Sequence, residues 1–449
     1  PSPQRFTLSG FVEDAETGER IPGASVFSIT GQIGSLSNEY GFFSLTLPAG
    51  AHRIGVSYLG YERMEQPIQL ATDEHLNFEL QPAFLQEIVV TTQPDSVLVE
   101  SPSLSVEHIS LENARKLPSL GGEADVVRLT YQLAGIQTAS DGLGGLSVRG
   151  GNVDQNLFLL DGVPVYNPLH GVGISSVYNA SAIRSAQLYK GVMPAKFGGR
   201  TSAVLDVQTK EGNSKALRLE TDLGLTSGKV TVEGPLVKEK SSFFVSGRRA
   251  FYDFFVVPYT TRKRREDFID GFVSYFFYDL NLKVNHRFSE RDRLYLSYYR
   301  GADDFLDVNE QEVRNLDTLV FFADNSQVFW GNVIASLRWN HTFSPRLFAN
   351  TTLTYSKYAY RSQDFLNLTQ TIDTLPPQVL DALVLGYNSN NKDLAANLDF
   401  DWFPHPGHRV EFGVAAVRHR FQPGVISLDI PTDIDFDTIL NRQPLKSYE

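Results

Sequence analysis

Along this chain the hydrophobic and polar positions obey three different rules in succession. Residues 6 to 81 alternate in short runs: Phe6-Thr7-Leu8-Ser9-Gly10-Phe11-Val12, Ala24-Ser25-Val26-Phe27, Gly41-Phe42-Phe43-Ser44-Leu45 and His52-Arg53-Ile54-Gly55-Val56-Ser57-Tyr58. A period of two means strands. The turn signals between them, Glu16-Thr17-Gly18, Ile21-Pro22-Gly23 and Pro48-Ala49-Gly50, suit a compact antiparallel sandwich over residues 1–82. Residues 83–100 read as a linker holding one strand, Leu85-Gln86-Glu87-Ile88-Val89-Val90-Thr91, between Pro82 and Pro94. Residues 101–213 are glycine-rich and mixed, an α/β pattern with helical stretches expected at Glu123–Leu133 and Ala180–Ser185.

From residue 214 the alternation lengthens. About nine runs are expected as strands: Leu217–Leu225, Lys229–Glu233, Ser242–Arg248, Tyr275–Phe288, Arg293–Arg300, Gly331–Phe343, Leu347–Tyr360, Asp393–Trp402 and Arg409–Phe421. Most approach the roughly 9–11 residues that a tilted membrane strand requires. After an opening hairpin near Ser227-Gly228, tight connections (PLVKEK, SERD, SPR, PHPGH) alternate with long ones over 252–273, 302–328, 361–391 and 422–447. In an up-and-down barrel that alternation puts every tight turn at one membrane face and every long loop at the other. A soluble adhesin built of sandwiches has no reason to sort its loops so. Nine strands are too few to enclose the preceding domain of about a hundred residues, since lumens wide enough to hold a domain belong to barrels of about 22 strands. The fold expected is therefore mainly β, with a sandwich, an α/β domain over 101–213 and the first part of a large antiparallel transmembrane barrel that continues beyond Glu449.

Composition sharpens this picture. No apolar run approaches the roughly 20 residues of a membrane helix, whereas 19 Tyr and 31 Phe supply the aromatic girdles of a barrel. The net charge of −12 argues against nucleic acid, whose phosphates demand clustered Lys and Arg. With no cysteine there is no thiolate nucleophile, no Cys-ligated metal and no disulfide framework. The start at Pro1 without a leader is what a mature exported chain is expected to show.

Specific strings then carry resemblances. GFVEDAETGERIPGASVFSI and NEYGFFSLTLPAGAHRIGVSYLGY resemble the carboxypeptidase regulatory-like β-sandwich, which implies an accessory role rather than peptidase activity. LSVRGG at 146–151, LFLLDGVPVYNP at 157–168 and the stretch from Ser181 to Gly212 resemble the plug of TonB-dependent outer-membrane receptors, with Arg149, Gly150, Asp161, Gly162, Gly198 and Gly199 in the matching motifs. LQEIVVT at 85–91 then resembles a TonB box, the segment that would add itself to an edge strand of its partner. The resemblance implies import of a nutrient ligand across the outer membrane of a Gram-negative bacterium, residues 1–100 periplasmic, with TonB and its ExbB–ExbD motor as partners. Lipopolysaccharide or other outer-membrane lipid, a surface lipoprotein of the SusD type beside a SusC-like barrel, and a small ligand of unspecified nature complete the expected partners. A non-transporting barrel subunit of an assembly or secretion complex is the alternative.

Isolated residues add less. The basic run Arg262–Arg265 is a solvated loop or a contact for lipopolysaccharide phosphates. The acidic group Asp303, Asp304, Asp307, Glu310 and Glu312 has oxygen ligands of the kind calcium prefers but no EF-hand order. His405 and His408 flank a tight turn and read as turn residues. Tyr166, Asn167 and His170 follow the DGVPV strand on a loop that either faces ligand or packs on the barrel wall. Arg149 and Asp161 would each be costly to bury alone, so both are expected to find partners. No Ser-His-Asp order or phosphate loop stands out; neither an enzyme nor a cofactor is expected.

Overall fold

The computed structural model describes residues 4–29, 33–83, 106–109, 124–138, 145–315, 317–372 and 378–429. The candidate box at 85–91 lies outside the described residues.

In the N-terminal unit, strand Arg5–Asp14 is central, antiparallel to Phe42–Pro48 and parallel to the short pieces Glu74–His75 and Phe78–Leu80. A second sheet runs in the order Ile33–Leu36, Ser25–Ser28, Gly50–Ser57, Met64–Leu70. Alternate residues Leu8, Val12, Val26, Phe43, Leu45, Ile54 and Val56 meet between the sheets as one dry core, as the period of two requires.

The second unit is a five-stranded mixed sheet in the order Val163–Pro164, Asn156–Leu160, Ala203–Thr209, Ile183–Lys190, Val106–Ile109. Among the described residues a helix, Val126–Thr130, is capped by Asp125, whose carboxylate accepts from the Val127 and Arg128 amides at 2.8 and 3.1 Å and from Ser176 at 2.6 Å. The second expected helix is a correction. Only Ala180–Ala182 turn, as a 3-10 turn capped by Asn179, and Ile183 begins a strand. Ile183, Ala186 and Leu188 are buried in the core, and the ladder to Ala203–Thr209 outcompetes the local helical tendency of Ala and Ser.

The third unit is a nine-stranded antiparallel sheet whose strands pair strictly in sequence. All nine expected strands are present, from Arg218–Leu223 to His408–Asp429. Their lengths correct the expected loops. Asp292–Asn315 and Thr318–Ser344 pair from Asp292↔His341 up to Asn315↔Thr318, and Leu347–Ile372 pairs with Gln378–His405. The stretches 302–315 and 361–372 are thus ladder, because backbone pairing continues after the apolar alternation fades. The acidic residues Asp303 to Glu312 accordingly sit on a strand, not in a loop, and among the described residues no group of three or more His, Asp or Glu is placed to hold a metal. The connection 252–273 contains a helix, Tyr252–Glu266.

Polarity on this sheet is inverted relative to a soluble protein. One face buries Ser246, Arg248, Asp279, Lys283, Asn285, Arg293, Ser336 and Asn350, while the other exposes Val245, Val284, Leu296, Leu337, Leu353, Leu394 and Leu398. Near the tight turns the exposed face ends in Phe288, Trp339, Phe343 and Trp402, the position of an interfacial aromatic girdle. The polar face wraps the plug, and Tyr299 and Ile334 of the sheet join the plug core.

Candidate functional site: the plug–barrel junction

Two plug motifs are two-residue turns with both central residues left-handed. Arg149 and Gly150 have φ of 50° and 80°, Asp161 and Gly162 of 51° and 79°. Gly151 N–H donates to the Val148 carbonyl at 2.9 Å, and Leu160 pairs with Val163 across the second turn. This is the hairpin geometry that demands glycine or a short polar residue. The two charged residues then diverge. Asp161 is buried, receiving Lys283 Nζ at 2.8 Å, the Thr209 hydroxyl at 2.6 Å and the Thr209 amide at 3.0 Å. Burial alone would raise its pKa, but Lys283, with Arg338 and these hydrogen bonds, holds it below the usual carboxylate value. Arg149, expected to be buried with a partner, is instead exposed at its turn, so nothing has to neutralise it. Its guanidinium covers Gly191, where a Cβ would come within 2.3 Å of Nη1 and φ is 110°. Gly198 and Gly199 lie on an exposed loop, the latter at φ 77°.

Loop 166–171 carries the densest contacts. His170, 1% exposed, sits between two barrel carboxylates: Nε2 is 3.0 Å from Asp279 and Nδ1 2.7 Å from Asp303. Carboxylates only accept, so both ring nitrogens must donate and the ring is imidazolium. Asp303 also accepts from Tyr275 Oη at 2.6 Å and the Gly171 amide at 3.0 Å; Asp279 accepts from Tyr299 Oη at 2.6 Å and Arg248 Nε at 2.7 Å. The imidazole stacks on Phe277 with centroids 4.2 Å apart, and Arg248 reaches onward to the Ser176 carbonyl at 2.6 Å. Burial alone would lower the His170 pKa; Asp279 and Asp303 reverse that and raise it to about 9. Tyr166 donates to Asp393 at 2.5 Å, and the Asn167 carbonyl accepts from Asn332 at 2.8 Å. All three loop residues therefore touch the barrel wall. Tyr166 and Asn167 additionally line a cavity of about 1770 Å³ between the plug and the last strands, while His170 is sealed away from it.

A third cluster ties the plug's exit strand to the wall. Glu211 accepts from Arg184 Nη1 at 2.7 Å and lies 3.6 Å from Arg338 and 3.9 Å from Arg293. Burial would raise its pKa, but Arg184, Arg293 and Arg338 hold it at about 2. The sandwich joins the same place, since Glu19 accepts from the Glu211 and Gly212 amides, the latter at 2.9 Å. Asn38 donates to Asp401 at 2.8 Å, Arg346 Nε to Thr7 at 2.8 Å, and Phe11 and Phe42 pack on Phe348 and Phe403. Every one of these barrel residues lies at the tight-turn end.

Sequence reading missed the wall partners Arg248, Tyr275, Asp279, Lys283, Arg293 and Arg338. Their signal was present but unassigned: charged residues at inward positions of strands whose alternate positions are apolar. His405 and His408 are exposed at their turn with ring centroids 5.7 Å apart. Among the described residues no helix is long and apolar enough to cross a membrane, which says nothing of crossing by strands.

An inside-out sheet wrapped about a separate packed domain defines a plugged barrel, and comparison with known proteins names the class. Residues 8–90 match the CarboxypepD_reg-like domain and residues 99–204 the TonB-dependent Receptor Plug Domain. The chain thus carries, in order, the accessory domain and the plug domain found in TonB-dependent receptors. It is 24% identical over 226 residues to the TonB-dependent transporter Oar of Myxococcus xanthus, covering 47% of this chain and 21% of that protein. Solved structures with a similar fold include the siderophore receptor PirA of Acinetobacter baumannii (13% identity, TM-score 0.34, 68% of this chain and 59% of that one). The FrpB iron transporter of Neisseria meningitidis is another (11%, TM-score 0.34, 69% and 63%). The chain thus spans about a fifth of the curated relative and about six-tenths of these solved chains.

Proposed function

We propose that the protein imports a nutrient ligand across the outer membrane, with the plug gated by TonB acting on residues 85–91. The observation that carries this reading is the fastening of the plug: His170 between Asp279 and Asp303, Asp161 on Lys283, and Glu211 among Arg184, Arg293 and Arg338. Leaving one charge of a buried pair uncompensated costs about 3–5 kcal/mol. Three such attachments do not open spontaneously at useful rates, and an external energy source at the tight-turn face is what the family's coupling to TonB supplies. The sandwich docks at that same face, which fits a periplasmic placement of residues 1–100. Tyr166 and Asn167, which line the large cavity with other plug residues, are the loop residues this reading assigns to ligand contact.

The test is capture by a purified periplasmic TonB domain of the detergent-solubilised native protein, with and without residues 85–91. Capture that disappears on deletion supports energised import. Absence of capture in both forms moves the assignment to a non-transporting barrel subunit.

A further inference from the structure

The third barrel strand, Ser241–Ala250, stops early: its last partner on the fourth strand, Asp270–Arg287, is Tyr278 opposite Arg249. Residues 270–277 of that fourth strand continue upward, paired on their other side as far as Asp270↔Glu310. Helix Tyr252–Glu266 covers the edge left open. Thr260 Oγ accepts from the Val273 amide at 2.9 Å, Arg249 clasps Asp253 at 2.6 Å, and Arg264 reaches Asp307 at 2.6 Å. These contacts turn positions 253, 260 and 264 toward the strand.

The opposite face is unusual for a surface helix. Phe254, Phe255 and Tyr259 are 63%, 53% and 69% exposed, followed by Arg262 and Lys263, with side chains 86% and 62% exposed, and by exposed Arg265. Aromatic and basic residues are segregated along the helix rather than around it. At 1.5 Å per residue the basic group stands about 12 Å farther along the axis than Phe254. Since the helix leaves the sheet beside Arg249 and returns at Asp270, its aromatic half lies nearer the apolar belt and its basic half higher. The aromatic half is continuous with the apolar outer face, because Arg249 lies over the rings of both Phe254 and Phe276, at 5.3 and 4.8 Å.

We propose that helix Tyr252–Glu266 is a docking element for the outer leaflet, its aromatic half seated at the acyl boundary and its basic half on the phosphates of lipid A. Amphipathic rings favour that boundary, and cations just above it attract anionic headgroups. Arg262 and Lys263 share Glu266 at 3.5 and 3.8 Å, fully exposed pairs that a phosphate can displace at little cost. The proposal rests on the outer-membrane reading.

The native protein and two variants, R262Q/K263Q/R265Q and F254S/F255S/Y259S, are reconstituted into phosphatidylcholine vesicles and floated on a density gradient. Retention of diphosphoryl lipid A is then measured by mass spectrometry of the detergent-extracted proteins. All three are expected to float, with retention at least tenfold lower in the charge variant and several-fold lower in the aromatic one. Equal retention in protein and charge variant overturns the proposal, as does loss of retention in millimolar inorganic phosphate, which marks a simple anion site. Failure of the native protein itself to float overturns the membrane reading instead.

Discussion

At the scale of single residues, the plug is fastened by charges buried where it meets the wall. Lys283→Met leaves the Asp161 carboxylate without its cation, which is expected to lower stability by about 3–5 kcal/mol in denaturant unfolding. Adding Asp161→Leu to it is expected to recover most of that loss, because the uncompensated charge goes too. His170 gives a pH dependence with a definite sign. Its folded pKa, about 9, lies above the unfolded value of roughly 6.5, so its contribution is complete below that value and disappears as pH rises through about 9. The hydrogen-exchange protection factors of loop 166–171, corrected for the intrinsic pH dependence of exchange, are expected to fall across that window in the native protein and to be low and flat in His170→Ala. Sequence alone could flag Asp161 through its DG turn and His170 through its loop. Their partners are 122, 109 and 133 positions away, a separation at which no local pattern identifies a pair.

For the elements, the decisive property is which face of a strand meets what. Leu296, 56% exposed on the outer face, belongs to the apolar belt, and Leu296→Arg is expected to destabilise refolding into vesicles by about 2–4 kcal/mol. The adjoining Ser297→Arg, on the plug side, is expected to disturb plug packing without that lipid dependence, so the two separate when bilayer and detergent are compared. Strand existence was legible because the apolar half of the alternation marks it. Strand length was not: from Asp304 to Glu312 the sequence is polar and reads as loop, yet it pairs residue by residue with Phe321 to Phe329. The Ala180–Ser185 segment failed differently, through small residues whose weak local preference yields to ladder partners 23 and 26 positions downstream, Ser185↔Gln208 and Ile183↔Thr209.

Considered whole, the molecule is a sandwich and a plug held on one curved sheet. Phe348 of the barrel contacts Phe11, Tyr40 and Phe42 of the sandwich at ring separations of 6.4, 5.5 and 5.2 Å. Phe348→Ala removes that contact while leaving the sandwich core intact, and is expected to weaken docking by about 3 kcal/mol. Distance distributions between spin labels at Gln69 and Glu290 are expected to broaden in the variant; an unchanged narrow distribution would show that the polar contacts alone hold the domain. The order sandwich, linker, plug, barrel was legible from composition and motif. The docking was not, since Phe11 and Phe42 read as ordinary core positions.

The short strand Val106–Ile109 has a mechanical meaning. It is the outermost member of the plug sheet, paired with Ala186–Tyr189 through four register positions and packed through Val106 and Ile109. Under the proposed pull by TonB, this half-buried edge ladder is the first described part of the plug to take load, whereas Phe78 and Leu80 on the sandwich side are fully buried in the sandwich core. On that reading the two sides of the linker differ in burial rather than in ladder length, and a steady pull would loosen the half-buried plug strand before the sandwich strand.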